Sequence, residues 1–132
     1  MEFIAILIRE HQRISKELDE IGSLGNAGKS CLLVISEFEK ILNIHIKKEN
    51  ETIYPKFNSS PFEEINKLGK MFSDQMKVYS IEIFDCLEAM KKAQGLMDND
   101  LKQRFAKISE RIKNRNTIEE NILFPAYKKY FN

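Results

Sequence analysis

Apolar residues recur at three- and four-residue spacing along four long stretches of this chain, and very few helix breakers interrupt them. Only three Pro and five Gly occur in 132 residues. The first stretch runs from about Phe3 to Ile21, with Ile4, Leu7, Ile8, His11, Ile14, Leu18 and Ile21 on one face. The second runs from about Ser30 to Lys56 and carries Val34, Phe38, Ile41, Leu42, His45, Glu49 and Ile53. Ser60-Pro61-Phe62-Glu63 reads as a capping box with Pro at the first helical position, opening a third helix that reaches about Lys92. Its stripe is Leu68, Phe72, Gln75, Tyr79, Ile83, Cys86 and Met90. Gly95, Asp98 and Asn99 mark the next turn and cap. The fourth helix carries Leu101, Phe105, Ile108, Ile112, Arg115, Glu119, Ile122 and Ala126. No segment has a strand period. Four such helices with short connections predict an all-α, up-down-up-down antiparallel four-helix bundle, a single domain over residues 1–132.

Composition narrows the function classes. Lys plus Arg number 21 against 20 Asp plus Glu, a net charge of +1. That balance predicts neither nucleic acid nor an anionic membrane as partner. The most apolar run, Phe3 to Ile8, is too short to span a membrane, and no basic leader or cleavage site accompanies it. Cys31 and Cys86 form no C-x-x-C pair and read as ordinary buried thiols of a cytoplasmic protein. Gly28-Lys29-Ser30 imitates the end of a phosphate-binding loop. That motif requires a Gly where this chain has Ser23, and a strand before the loop.

Each apolar stripe is broken near its middle by polar residues: His11 in the first helix, His45 and Glu49 in the second, Gln75 in the third, Arg115 and Glu119 in the fourth. A charge in a bundle core is costly unless it is paired or bound to metal. Interruptions in all four helices, at about the same level of the bundle, predict a site. His45 and Glu49 are four residues apart and point at one spot. Imidazole with carboxylate suits divalent iron, zinc or manganese. A hydrogen-bonded polar network without metal is the alternative reading of the same residues.

These residues resemble the hemerythrin-like, HHE cation-binding family over nearly the whole chain. The first helix has Arg-Glu-His11-Gln-Arg-Ile. The second has His45-Ile-Lys-Lys-Glu49-Asn-Glu-Thr-Ile-Tyr-Pro55, similar to the family's H-x-x-x-E followed by an aromatic-Pro. The fourth has Arg115-Asn-Thr-Ile-Glu119-Glu-Asn-Ile-Leu-Phe-Pro125, the same register with Arg in place of His. In the third, the family's Glu-His is Asp74-Gln75. A ferritin-like di-iron site fits less well, since it needs Glu three residues before His, where this chain has Ile8 and Leu42.

The resemblance implies two irons bridged by carboxylates of the second and fourth helices. Carried over residue by residue, the first iron keeps His11, His45, Glu49 and Glu119. The second loses its imidazoles at Gln75 and Arg115, and Arg is not an ordinary metal ligand. Tyr79 is at best a weak substitute. The expectation is therefore one non-haem iron, or zinc, with room for a small ligand such as oxygen or nitric oxide, in handling or sensing those gases or iron. Arg115 is expected to pair with Glu49 or Glu119. Reversible oxygen carriage in the family uses the two-iron centre, so it does not fit. The competing expectations are a metal-free scaffold in which Arg115 replaces the missing charge, and an enzyme such as a peroxidase or an iron–sulfur repair protein.

Overall fold

A computed structural model describes residues 2–131. Its helices are α1 (Glu2–Ser23), α2 (Lys29–Lys48), α3 (Tyr54–Asn58), α4 (Glu63–Lys92), α5 (Asn99–Ile118) and α6 (Phe124–Phe131). A π-helical turn, Glu49–Ile53, joins α2 to α3, and a second, Glu119–Leu123, joins α5 to α6. The chain is thus four rods: α1, the α2–α3 rod, α4, and the α5–α6 rod. There is no strand among the described residues. No described helix is long and apolar enough to cross a membrane.

The two π turns have the same chemistry. Each begins at a site carboxylate and ends two residues before a proline, Pro55 or Pro125. Proline brings no N–H and its ring crowds the carbonyl four residues back. Widening the turn relieves that crowding, and the N–H groups of Tyr54 and Phe124 bond the Glu49 and Glu119 carbonyls five residues back. The extra residue rotates the helix beyond it. Leu123 and Phe124 are buried and Ile122 is exposed, so the expected place of Ile122 in the apolar stripe is overturned.

Two other sequence expectations are corrected. The helix after Ser60-Pro61 starts at Glu63, with Phe62 as its cap residue. Ser60 Oγ accepts the Phe62 N–H at 3.1 Å, a local turn in place of a capping box. Val34 is only half-buried, since Cys31, Ile35 and Phe38 carry the inward face of α2. Asp98 does cap α5, accepting from the Leu101 N–H at 2.8 Å.

The α1–α2 and α4–α5 connections meet at one end of the bundle. The Gly28 N–H bonds the Gly95 carbonyl and the Met97 N–H bonds the Gly25 carbonyl. Gly95 has φ +74°, and a Cβ there would lie 2.2 Å from the Gly28 oxygen, so only glycine closes this contact. Above it sits one apolar cluster, including Ile14, Leu18, Ile35, Phe38, Met90 and Phe105. A second cluster, including Ile4, Leu7, Ile53, Phe57, Phe72 and Leu123, fills the opposite end. Along α1, the α2–α3 rod and the α5–α6 rod, the polar residues lie between the two.

Candidate metal centre

His11 from α1, His45 from α2 and Glu119 from the turn after α5 meet in the layer between the clusters, all buried. His11 Nε2 is 3.1 Å from His45 Nε2 and 2.9 Å from Glu119 Oε1. His45 Nε2 is 3.7 Å from that oxygen and 3.5 Å from Glu49 Oε1. Of the four residues expected to converge, His11, His45 and Glu119 meet at one point, and Glu49 stands beside them through His45.

The other ring nitrogens decide what the centre can bind. His11 Nδ1 donates to Glu120 Oε2 at 2.8 Å, and His45 Nδ1 donates to Glu10 Oε1 at 2.8 Å. Glu10 also accepts from Lys48 Nζ. With both Nδ1 protons committed to carboxylates, both Nε2 lone pairs and Glu119 Oε1 face one another. Three acceptors cannot satisfy one another, so the centre calls for a cation, either a proton or a metal ion. Carboxylate-backed imidazoles are the arrangement that orients histidine ligands toward metals. Ligand atoms about 2.0–2.2 Å from one tetrahedral ion lie roughly 3.3–3.6 Å apart, close to the separations here.

The carboxyl groups divide their roles. Burial, and then the Glu119 charge, hold Glu49 well above the usual carboxylate range. Burial pushes Glu119 the same way, but the hydrogen bonds from His11 and His45 outweigh it and keep it ionised. Burial disfavours the His45 cation, yet hydrogen bonds to Glu10 and Glu119 and the charge of Glu49 raise its pKa to about 10. Glu49 Oε2 is buried with no hydrogen-bond partner. Such an orphan acceptor fits a cation beside it.

Arg115 is buried on the α4 side of the centre. Its Nη2 donates to Tyr54 Oη and to the Phe72 carbonyl, each at 2.8 Å. Its Nε lies 3.2 Å from Glu119 Oε2, a charged contact without the alignment of a hydrogen bond. The expected pairing with a site carboxylate is present. Gln75 differs from expectation. It is exposed, and Phe72 and Met76 take the core-facing positions of α4 on either side of it. Gln75 Oε1 accepts from Arg115 Nη1 at 3.5 Å. Tyr79 is half-buried and lies over Arg115, its ring centroid 5.9 Å away.

Glu10, Glu120, Tyr54 and Asn116 are the site residues that sequence reasoning missed. Glu10 and Glu120 each stand next to a predicted ligand, and an acid flanking a ligand was the available signal. Cys31 and Cys86 are buried and free, as expected, and burial raises both thiols.

The family model described as the hemerythrin HHE cation binding domain matches residues 2–127. No curated protein and no solved structure gives a significant match to the chain.

Proposed function

The chain belongs to the hemerythrin HHE cation-binding family, and on that premise we propose that it holds a single transition-metal ion, iron first and zinc as the alternative. His11, His45 and Glu119 are the ligands in this reading, with Glu49 completing or loosely joining the set. The observation that carries it is the meeting of two Nε2 lone pairs and a carboxylate oxygen, each imidazole backed by a carboxylate. Imidazole and carboxylate donors fit first-row divalent ions. Arg115, in the sequence position of the family's fourth-helix His, is a permanent cation bonded to Tyr54 and Phe72, and it offers no lone pair to a second ion. Bound iron would supply an exchangeable position for oxygen or nitric oxide, and the protein is then a handling or sensing module for such a ligand or for iron itself. The free thiols Cys31 and Cys86 agree with a reducing compartment, and a cytoplasmic location is part of the proposal.

Metal analysis of protein purified without added metal tests this. The expected result is about one ion per chain, lost in His45→Ala, with affinity weakened about 10–100-fold in Glu10→Gln, where the carboxylate behind His45 is gone. Protein that stays metal-free after incubation with ferrous iron and with zinc overturns the reading.

A metal-free scaffold is favoured by one observation. The Arg115 guanidinium already meets the Glu119 charge, its Nε 3.2 Å from Glu119 Oε2. The same metal analysis separates the two. Peroxide turnover by loaded protein is the readout for a peroxidase.

A further inference from the structure

Two hollows share one wall beside the centre. A groove of about 420 Å³ opens between α4 and α5, with Gln75, Lys107, Asn114 and Ile118 along it. Behind it, a cavity of about 20 Å³ touches His45, Glu49 and Glu119 and is otherwise lined largely by apolar side chains such as Leu42, Met76, Ile83 and Ile112. Among the described residues, Tyr79, Arg111 and Arg115 alone line both spaces. The Tyr79 ring centroid is 5.2 Å from the Arg111 guanidinium and 5.9 Å from that of Arg115. Both guanidinia are themselves anchored. Arg111 pairs with Glu82, and Arg115 bonds Tyr54 and the Phe72 carbonyl. A ring beside two guanidinium cations is attracted through its face, while its half-exposed position leaves it room to swing.

The inner space is about that of one water molecule. Three of the residues that line it carry a buried polar atom without a hydrogen-bond partner, Glu49 Oε2, Arg115 Nε and Asn116 Nδ2. A small molecule there lies against Asn116, Glu49 and the centre residues His45 and Glu119. To arrive from the groove it must pass Tyr79 and two positive charges.

We propose that Tyr79, held by Arg111 and Arg115, is the specificity-determining gate of this site. It admits neutral or anionic ligands of no more than about two heavy atoms and turns away larger molecules and cations. The proposal rests on the metal-binding reading for what the ligand binds to, and on the two hollows alone for how it enters.

The two parts are tested separately. In metal-free protein with labelled methyl groups, dissolved oxygen should speed the relaxation of the Leu42, Met76, Ile83 and Ile112 methyls, and xenon should leave their shifts unchanged. In Tyr79→Ala, xenon should shift the same methyls, and Tyr79→Phe should behave as wild type because the ring is kept. Xenon shifts of equal size in wild type and Tyr79→Ala overturn the gate. Should Tyr79→Ala not fold, Arg111→Ala opens the solvent side of the same wall and is read in the same way. In iron-loaded protein, Tyr79→Ala should speed imidazole association with ferric iron at least about tenfold and nitric oxide association with ferrous iron less than about threefold. Equal acceleration of both, or of neither, also overturns the gate. Methyl data as expected in protein that binds no iron would leave the gate standing and remove the metal reading. Iron binding with the wrong methyl data would do the reverse.

Discussion

Arg115 and His45 each hold a positive charge in the core, by different means. Arg115 cannot shed its proton, so its burial is offset by Tyr54, the Phe72 carbonyl and the Glu119 charge. Arg115→Leu leaves Glu119 without its guanidinium and should cost about 3–5 kcal/mol in denaturant unfolding of the metal-free protein. An unchanged midpoint would mean that the guanidinium does not balance the site. His45 can shed its proton, and its folded pKa of about 10 lies above the ordinary 6.5. A raised pKa means that protonation favours the folded state. That contribution is complete below 6.5 and is lost as pH climbs through about 10. Glu49, also raised, acts in the same direction. Glu119 is lowered, so its contribution is present above 4.5 and is lost as pH falls through its folded pKa. The melting temperature of metal-free protein should therefore decline from near neutrality toward pH 10. Bound zinc should remove that decline, because the ion takes the place of the proton. A flat alkaline profile without metal would place no proton on His45 Nε2.

At the scale of elements, the two π turns are what bring the ends of the rods into the second cluster. Each starts at an inward-facing site carboxylate, and Ile53 and Leu123 are buried one turn beyond Glu49 and Glu119. The α3 segment beyond the first turn packs tightly on α4. A Cβ on Gly69 would lie 2.3 Å from Phe57 Cβ and 3.1 Å from its Cγ. Gly69→Ala should gain up to about 1 kcal/mol of helix propensity and lose about 1–3 kcal/mol through displacing Phe57. The net expectation is a lower denaturation midpoint, checked by urea unfolding. A higher midpoint would show that α3 yields easily and that the contact is loose. The legible part at this scale was helix existence. Helix ends and the turn after each carboxylate were not legible, because a π turn keeps helical dihedrals and changes only which carbonyl each N–H reaches.

For the whole molecule, a polar layer lies between two apolar clusters, and an ion there would tie α1, the α2–α3 rod and the α5–α6 rod together. Metal at about 100 times its dissociation constant should add roughly 2.7 kcal/mol to unfolding. Amides on both sides of the layer should gain hydrogen-exchange protection together. Protection confined to one cluster would show that the two ends open independently. The bundle and the meeting of His11, His45 and Glu119, with Glu49 beside His45, follow from sequence alone, because helical spacing sets which side chains share a face and a buried charge demands a partner. Tertiary structure decided the rest. Glu10 and Glu120 back imidazoles on neighbouring helices, at 35 and 109 residues' separation, and no local pattern encodes such a pairing. Gln75 falls on the open side of α4, one helical step from Met76, because the rotation of that helix is set by how Phe72 and Met76 pack. Rotation of one helix against its neighbours is fixed by side chains distant in sequence, and spacing within one helix leaves it undetermined.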